Sequence, residues 1–504
     1  MTINVEKEYF VDMVSTCAVG PDGARGKNFW CMASRAHDAV TEVPLSRWDV
    51  EARLNVAPGS DAIADRQRYA AFIEGAELFD NQHFSILAAE AAAIDPQQRL
   101  LLEVGYAALH SATMTKSTLK ESLTGIFVGM SHPGFAEVCL TNSSTSSGYV
   151  TVAAGCAVSA GRLSFTLGLQ GPCVSIDTVC SSGLVATHNA WRSIMLGESY
   201  VSVALGVNMI FSPHQNACMA QTGMTSRSGR SFTFDRRADG YGRGEGCYAA
   251  LLRPSERTPS GHRFVGCIVR QDGRSASLTA PNGRAQQALL RASFALGSFH
   301  PDALTGYEAH GTGTPLGDPI EVSTLTLSVL AERSAVEPLY VGSFKAAGAH
   351  GEPASGLAGL LVQAWQQATS RMAPNAQLRT PNPHVSRAFE QQNVSAMLPI
   401  QLSAAHNHSL GGVSSFGLFG TIAHALIEKA SPILTMTSSL TSGLAFRRRN
   451  FAWYQPSHPL LQSLVVLDEK SASFSSLINR KVQALVVDHL SLIHISEPTR
   501  RTPI

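Results

Sequence analysis

The sequence has 504 residues, of which 44% are hydrophobic, and it carries 39 Lys and Arg against 38 Asp and Glu. The hydrophobic share is typical of a well-buried globular protein, and the length predicts one large domain or several. The balanced charge excludes the global basic field that draws proteins to nucleic acid or anionic lipid. Because no window approaches about 18 uninterrupted apolar residues, we also predict no membrane span.

The nine cysteines are scattered along the chain, without CxxC pairs and in an odd number. This pattern is typical of reduced thiols in an intracellular protein rather than of a disulfide frame or a zinc site. The first residues, MTINVEKEYF, lack the charged-then-apolar order of a signal peptide. We therefore predict an intracellular protein, cytoplasmic with a plastid as the alternative, and no metal site.

Short β-type runs alternate with amphipathic or Ala-rich helical runs up to residue 429. In chain order the predicted elements are a helix at 96–111, strands at 124–129 and 174–178, helices at 182–196 and 286–296, a strand at 340–345, a helix at 355–369 and a strand at 423–427. This alternation predicts an α/β fold. Beyond residue 430, Ser and Thr at 431–443 predict a linker, and three arginines at 447–449 predict a solvated face.

Cys180 lies where a predicted strand turns into a predicted helix. Gly171 and Pro172 signal a turn, residues 173–178 form a strand-like run, and helical spacing begins after Cys180. The positive end of a helix favours thiolate over thiol, and cysteines in such places have pKa values lowered to roughly 3.5–7.5. The alternative is a buried structural cysteine.

Two histidines occupy comparable positions between strands and loops. His310 closes an apolar run and opens a loop rich in Gly and Thr, whereas His350 lies between the strand predicted to end at Lys345 and the helix predicted from residue 355. A lone histidine is more often a core or surface residue. A cysteine with two such histidines predicts an activated-thiol site, in which the thiolate attacks and two imidazoles bind developing negative charge.

The loop after His310 leads into a firmly started helix in this interpretation. Asp318 is predicted to cap the helix, Pro319 to occupy its first position, and Glu321 to complete a capping box. This context favours a functional role for His310 over core filling.

Residues 174–184, VSIDTVCSSGL, resemble the nucleophile motif of β-ketoacyl synthases (ketosynthases) of type I modular polyketide synthases. Residues 308–314, EAHGTGT, resemble the first histidine motif, and residues 345–350 the lysine–histidine motif. Further matching stretches are FDNQHFSI (79–86), AIDPQQRLLLEVGYAAL (93–109), FTFDRRADGYGRGEG (232–246), LTAPNGRAQ (278–286) and GGVSSFGLFGTIAHALIE (411–428). The resemblance covers roughly residues 9–429, with the motifs in family order.

This resemblance implies a thiolase-like α/β fold, with two similar halves in five layers (helix–sheet–helix–sheet–helix), and a homodimer. Cys180 would take the acyl chain from acyl carrier protein, and His310 and His350 would promote decarboxylation of the malonyl carrier and stabilise the enolate. The reaction would be the decarboxylative Claisen condensation of polyketide or fatty acid biosynthesis. No bound cofactor is expected, since substrates arrive on the phosphopantetheine of the carrier.

The resemblance also assigns supporting roles. Thr312 and Thr314 would line the phosphopantetheine tunnel, and the backbone amides of Cys180 and Leu418 would form the oxyanion hole. Lys345 would organise the two histidines electrostatically.

The sequence departs from the family pattern in several places. Asp12 stands where Gly is expected, and Ala347 and Ala349 stand where Asn and Gly are usual. In the gating loop Leu418-Phe419 replaces Phe-Gly. The bulky Phe419 is expected to stiffen this loop or to narrow the acyl path.

The residues after the ketosynthase-like part resemble three other kinds of sequence. Residues 446–453 are similar to the strap that follows polyketide ketosynthases, and residues 457–461 with Asp488-His489 are similar to the opening of a dehydratase domain, in which His489 would be the base. Residues 491–500, SLIHISEPTR, resemble a translated sequencing adapter.

We therefore predict a ketosynthase at 1–430, a linker and strap at 431–455, a truncated dehydratase-like start at 456–489 and adapter read-through at 490–504. Since no acyltransferase lies between ketosynthase and dehydratase, a trans-acting acyltransferase is expected to load malonyl groups.

Two other functions remain open on the sequence. The altered gating loop would also suit a non-elongating module that binds carrier protein or dimerises without condensing. A degradative thiolase would present a second catalytic cysteine late in the chain, and none occurs after Cys267. Intact Cys180, His310 and His350 favour the condensing enzyme.

Overall fold

The computed structural model describes residues 10–50, 61–131, 134–141, 155–255, 261–334, 337–391, 395–405, 409–429, 444–453, 463–467 and 472–475. The strands in these residues are β1 Val11–Val19, β2 Val40–Glu42, β3 Tyr69–Ala71, β4 Leu78–Phe79, β5 Thr124–Gly129, β6 Cys173–Ile176, β7 Val201–Asn208, β8 Gly246–Pro254, β9 His262–Gln271, β10 Leu304–Glu308, β11 Leu339–Gly342, β12 Arg371–Met372, β13 Ala396–Met397, β14 Ser403–Ala404, β15 Leu410–Phe416, β16 Thr421–Lys429, β17 Arg449–Asn450, β18 Ser463–Leu467 and β19 Ala472–Ser475.

The α-helices in the same residues are Lys27–Ser34, Asp61–Arg68, Ala88–Ala93, Pro96–Ser111, Lys116–Leu119, Phe135–Thr141, Cys156–Leu167, Ser182–Met195, Pro213–Gln221, Gly283–Gly297, Gly317–Ser328, Lys345–Gly348, Ser355–Thr369 and Pro383–Gln391. Short 3-10 turns cover Val179–Ser181, Pro301–Ala303, Leu330–Glu332 and Glu352–Ala354. None of the helices in the described ranges is long and apolar enough to cross a bilayer.

The principal sheet repeats one pairing pattern twice. Its strand order is β13-β11-β10-β15-β16-β9-β1-β8-β7-β5-β6. In the first half β5 pairs in parallel with β6 and β7, and β8 pairs antiparallel with β7 and β1. In the second half β10 pairs in parallel with β11 and β15, and β16 pairs antiparallel with β15 and β9. The halves join where β1 pairs with β9 at Val11, Asp12 and Met13.

Helices fill the space between the two halves and cover both outer faces. The helices Ser182–Met195 and Ser355–Thr369 share one buried apolar cluster with strands of both halves. Residues of Pro96–Ser111 and Cys156–Leu167 pack on the outer face of the first half, and residues of Gly283–Gly297 and Gly317–Ser328 on that of the second. This arrangement confirms the expected thiolase-like fold of two similar halves in five layers.

All eight predicted elements form, and three of them have their predicted bounds. The helices Pro96–Ser111 and Ser355–Thr369 and the strand Thr124–Gly129 match. The strand predicted at 340–345 ends at Gly342, because the next two amides leave the ladder: Ser343 N donates to Asn375 Oδ1 at 3.1 Å and Phe344 N donates to Glu308 Oε1 at 2.7 Å.

The segment 444–453 lies against the first half of the molecule. β17 pairs with β4, and Trp453 is 7% exposed within the apolar cluster of that half. The solvated face predicted for the three arginines is wrong for Arg448, whose Nε donates to the buried carboxylate of Glu103 at 2.7 Å. Desolvated Glu103 requires this partner, and the sequence pattern gives no sign of it.

Several predicted segments lie outside the described residues. These are the linker at 431–443, most of the dehydratase-like start including His489, and residues 490–504. Of the dehydratase-like start, the hairpin of β18 and β19 is described.

Candidate active site

Cys180 lies on a strained turn between β6 and the helix Ser182–Met195. The turn is the 3-10 segment Val179–Ser181, in which Val179 has a left-handed φ of 56°. β-branched residues rarely adopt this conformation, and the surrounding structure must hold it. Asp177 Oδ1 accepts a hydrogen bond from Val179 N at 3.0 Å, which fixes the turn. The side chain of Cys180 thereby faces a cavity of about 270 Å³.

His310 and His350 line the same cavity as Cys180. His350 Nε2 lies 3.1 Å from Cys180 Sγ. The rings of the two histidines are 5.6 Å apart between centroids and nearly perpendicular, at 87°. The structure thus brings together the three residues that the sequence selects as the activated-thiol site.

The main chain fixes one tautomer of His310. Phe416 N donates to His310 Nδ1 at 3.3 Å. Burial, and then the charge of Lys345, hold the pKa of His310 well below its ordinary value, so the ring is neutral. A neutral ring that accepts at Nδ1 carries its proton on Nε2. His310 is therefore a hydrogen-bond donor, suited to an oxyanion or enolate.

The predicted thiolate is not the resting state of Cys180. Burial raises the pKa of its thiol to about 12, and the negative charge of Glu352 adds to the rise, whereas Lys345 and two backbone N–H groups lower it. The prediction of a lowered pKa is wrong because desolvation outweighs the helix end. Burial and Lys345 hold the pKa of His350 well below its ordinary value. A thiol thus faces a neutral imidazole that can accept its proton during attack.

The gating loop is the turn between β15 and β16. The backbone N–H groups of Leu418 and Cys180 both lower the pKa of the Cys180 thiol, so both act near its sulfur. Gly417 permits this approach, because a Cβ there would lie 2.4 Å from Thr178 O. These two amides are the ones that the resemblance assigns to the oxyanion hole.

The expected obstruction by Phe419 is wrong. Its side chain is 51% exposed, and the residues that line the cavity include Leu418 but not Phe419. The left-handed position of this turn is at Gly420, with φ 88°, and not at Phe419. The backbone therefore needs no glycine at 419, and Leu418 is the residue of the altered pair that borders the acyl path.

Lys345 is a buried cation near the two histidines, with 3% exposure. Its charge lowers the pKa of His310 and of His350. Burial lowers the pKa of Lys345 itself, and the carboxylates of Glu308 and Glu321 oppose this. Burial raises the pKa of Glu308, and Lys345 opposes that rise. The sequence missed Glu308, although it opens the EAHGTGT motif.

Asp318 and Glu321 do not form the predicted capping box. The helix Gly317–Ser328 has Leu316 at its N-cap and no side-chain cap. Asp318 instead accepts from Phe234 N at 2.8 Å and from Gly313 N at 3.1 Å. Its carboxylate therefore ties the loop after His310 to a distant segment of the chain.

Glu321 holds the backbone of the His310 loop. Its Oε1 accepts from His310 N at 2.7 Å, and its Oε2 accepts from Gly311 N at 2.8 Å. Tyr307 Oη also donates to Oε1, at 3.2 Å. The Glu321 carboxylate thus accepts hydrogen bonds from amides of the loop and not from the first amides of its own helix. The capping-box spacing therefore gives a wrong prediction of its partners.

The cavity opens towards an outer cleft. Thr312 and Thr314 line the cavity, with their hydroxyl oxygens 3.4 Å apart. A cleft of about 710 Å³ shares Pro281 and Leu316 with the cavity. An extended substrate could therefore run from the cleft past the threonines to Cys180.

Four further residues that the sequence did not single out border the site. Arg243 Nε donates to Glu352 Oε1 at 2.7 Å in a buried ion pair behind His350. Asp272 and Gln286 line the cavity, and burial raises the pKa of Asp272 to about 6. Arg243 and Gln286 lie in stretches that match the family, so the sequence could have indicated them as site residues. For Glu352 and Asp272 the sequence contains no comparable indication.

The nine cysteines all lie in the described residues, and none is bonded to another. Over these same ranges no three His, Cys, Asp or Glu side chains are grouped as in a metal site.

Family profiles match most of the chain. The "Beta-ketoacyl synthase, N-terminal domain" matches residues 11–258, and the "Beta-ketoacyl synthase, C-terminal domain" matches residues 263–379. A phenolphthiocerol/phthiocerol polyketide synthase protein of Mycobacterium tuberculosis is 35% identical over 411 residues, 80% of this chain and 22% of that protein. A highly reducing polyketide synthase of Gibberella zeae is 32% identical over 441 residues, 86% of this chain and 17% of that protein. The chain thus spans only about a fifth of the length of these relatives.

Solved ketosynthases share the fold. The ketosynthase from module 6 of the bacillaene synthase of Bacillus subtilis superposes with a TM-score of 0.73 at 28% identity, over 84% of this chain and 72% of that one. An oxazolomycin ketosynthase domain of Streptomyces albus gives a TM-score of 0.77 at 28% identity, over 84% of this chain and 75% of that one.

These matches, with Cys180, His310 and His350 assembled in one cavity, do not favour the non-elongating alternative. The chain belongs to the β-ketoacyl synthase family of acyltransferase-type condensing enzymes, and it is a ketosynthase domain of the kind found in polyketide synthases.

Proposed function

We propose that this ketosynthase catalyses the decarboxylative Claisen condensation of an acyl thioester with malonyl-acyl carrier protein in polyketide assembly. Cys180, His310 and His350 are its catalytic residues. The observation that carries the proposal is the 3.1 Å contact between Cys180 Sγ and His350 Nε2, in a cavity that His310 also lines. The polyketide synthases among the relatives support the choice of product class.

In the first half-reaction Cys180 Sγ attacks the carbonyl carbon of an acyl group held on the phosphopantetheine arm of acyl carrier protein. A new C–S bond forms and the bond to the sulfur of the arm breaks. His350 takes the thiol proton and returns it to the departing thiolate. The backbone N–H groups of Leu418 and Cys180 stabilise the oxyanion, which compensates for the raised pKa of the thiol.

In the second half-reaction a malonyl carrier loses CO₂. The electron pair of the broken C–C bond forms an enolate, whose oxygen accepts a hydrogen bond from His310 Nε2–H and a second from His350 in the tautomer that carries its proton on Nε2. The enolate carbon attacks the acyl carbonyl on Cys180, the C–S bond to Cys180 breaks, and the released thiolate takes up a proton from solvent to restore the thiol. The β-ketoacyl product remains on the carrier, so the chain needs no bound cofactor of its own.

The neighbouring residues act on the arm and the imidazoles. Thr312 and Thr314 line the route of the phosphopantetheine arm. Burial and, after it, the charge of Lys345 keep both histidines neutral at physiological pH, since both lower the pKa of each ring. Neutral imidazoles can donate to an enolate without protonating it irreversibly.

A homodimer is part of the proposal. β6, which precedes Cys180, is an edge strand of the principal sheet, and its Val174 is 40% exposed. Phe165 on the adjacent helix Cys156–Leu167 is 88% exposed. Unpaired strand edges and large exposed apolar side chains favour pairing with a second copy. Light scattering of the purified chain tests this.

The proposal extends to the arrangement of the longer protein. We assign the ketosynthase to 1–430, the linker and strap to 431–455, the start of a dehydratase-like domain with base His489 to 456–489, and adapter read-through to 490–504. Partners are then an acyl carrier protein and an acyltransferase acting in trans. The free cysteines support an intracellular location.

The test is to incubate the protein with acyl-carrier and malonyl-carrier and to measure enzyme and carrier masses. We expect the acyl group first on Cys180 and then, extended with loss of CO₂, on the carrier. Cys180→Ala is the matched control, since it removes the nucleophile alone. An enzyme that takes up the acyl group but yields no extended carrier would contradict the condensing role, and label on another cysteine would contradict the site.

A further inference from the structure

Two hydrogen-bond acceptors in the cavity wall have no donor. Asp272 and Gln286 both line the cavity and are 8% and 1% exposed. Asp272 Oδ1 and Gln286 Oε1 are buried atoms without a hydrogen-bond partner in the described part of the chain. Buried oxygens of this kind are normally satisfied, because leaving them unpaired costs about 1–3 kcal/mol each. The cavity is thus built to receive a ligand with hydrogen-bond donors.

Local contacts place both residues near the mouth of the cavity. Asp272 N donates to Gly420 O at 2.8 Å in the gating turn, and Asp272 O accepts from Asn282 Nδ2 at 2.6 Å. Burial raises the pKa of the Asp272 carboxyl group, and the nearby backbone N–H of Asn282 opposes this rise. Asn282 follows Pro281, which borders both the cavity and the outer cleft, and Gln286 lies in the first turns of the helix Gly283–Gly297. The unpaired oxygens therefore face the entering part of a substrate.

The cleft outside the mouth has the opposite polarity. Arg274 and Arg284 line it, and none of the described side chains that line it is acidic. A ligand that fits both spaces has an anionic group in the cleft, N–H donors at the mouth and a reactive carbonyl at Cys180. The phosphopantetheine arm has this order, since its phosphate, its two amide groups and its thioester follow one another.

We propose that Asp272 and Gln286 are positioning residues that accept hydrogen bonds from the two amide N–H groups of the phosphopantetheine arm. The proposal rests on the proposed function in assuming that the substrate arrives on this arm. The hydroxyls of Thr312 and Thr314 line the same cavity and can donate to the amide carbonyls, so each amide group has complementary partners. The pair would set how far the thioester enters and so its alignment with Cys180.

The experiment measures binding without requiring turnover. S-methyl pantetheine, which has both amides and no reactive group, competes with an alkylating reagent for the cavity, and peptide mass mapping follows the protection of Cys180. Two analogues replace one amide N–H or the other with an ester oxygen. For the wild-type protein we expect at least one ester analogue to need about 10–100-fold more ligand for the same protection, as expected for a hydrogen bond to a carboxylate.

The variants separate this role from a structural one. Asp272→Asn keeps an oxygen for the Asn282 N–H but turns an NH₂ group towards the arm, so the preference for the amide should fall to within about 3-fold. Gln286→Leu should reduce the preference for N–H over ester oxygen at the amide that does not bond to Asp272, and it should leave the preference at the amide bonded to Asp272 unchanged. Asp22→Asn, at an exposed carboxylate that pairs with His37, is the matched control and should leave both preferences unchanged.

Equal protection of wild-type Cys180 by amide and ester ligands would overturn the inference. Retention of the full preference in both variants, with unfolding temperatures near that of wild type, would overturn it as well. Failure of the proposed function gives a different result, because amide preference would then be present while malonyl carrier is not condensed.

Discussion

Glu321 provides a direct test of how the fold positions His310. Its carboxylate accepts from His310 N at 2.7 Å and from Gly311 N at 2.8 Å, and the side chain is 3% exposed. In Glu321→Gln one oxygen remains for one of these amides, while the new NH₂ group faces the other. The variant loses one hydrogen bond to a carboxylate and leaves a buried N–H unpaired. We therefore expect the free energy of unfolding to fall by about 2–4 kcal/mol.

The same substitution should impair the chemistry of His310. A displaced loop backbone moves the imidazole that meets the enolate, and a misplacement of about 1 Å can cost about 100-fold in rate. We expect malonyl-carrier decarboxylation to fall by about 10–100-fold, while acylation of Cys180 remains close to wild type, because His350 contacts the thiol.

Guanidinium unfolding and CO₂ release measure the two effects. Glu90→Gln is the matched control, since Glu90 forms a partly exposed ion pair with Arg162 and its loss should cost only about 0–1 kcal/mol. If Glu321→Gln unfolds at the wild-type denaturant concentration, the carboxylate does not hold the loop. If it is destabilised but decarboxylates at the wild-type rate, the link between the loop and His310 is wrong.

Three further predictions concern the cavity. His310→Ala and His350→Ala should each lower malonyl decarboxylation by about 10²–10³-fold with Cys180 acylation still measurable by mass spectrometry, and wild-type decarboxylation in both would refute the assigned roles. Because burial raises the pKa of the Cys180 thiol to about 12, its alkylation rate in the free enzyme should still increase with pH beyond the ordinary thiol pKa of about 8.5, and a plateau of this rate near neutral pH would show a thiolate instead. The exposed Cys173 and Cys218 should react first with iodoacetamide, whereas an acyl thioester should label Cys180. Leu418→Phe should change the ratio of long-chain to short-chain acylation rates, whereas Phe419→Gly should leave it within about 2-fold because that side chain lies outside the cavity; the opposite pattern would restore Phe419 as the obstruction.

The sequence is most informative where chemistry and local pattern coincide. The helix Ser355–Thr369 follows its apolar periodicity, and the places of Cys180, His310 and His350 between elements predict the site without knowledge of any contact. These features depend on short segments of chain, so a single sequence suffices to predict them.

Prediction failed where distant parts of the chain meet. Asp318 and Glu321 have the spacing of a capping box, but the His310 loop takes their carboxylates through contacts that no local pattern records. The raised pKa of Cys180 has a similar origin, because a helix-start rule ignores the burial supplied by the rest of the fold. The unpaired Asp272 Oδ1 is invisible until the cavity is assembled.

The packing of residues 444–453 determines where this unit can be joined to another. Trp453 contacts Phe211 at 5.4 Å between ring centroids, the Arg47 guanidinium lies 5.1 Å from its ring, and Arg99 Nη1 donates to Phe451 O at 3.0 Å. A recombination point placed at the end of β16 would exchange these contacts for those of a foreign sequence. Junctions beyond Trp453 carry the whole folded unit, so hybrid synthases assembled there should retain stability that hybrids cut at Lys429 lose.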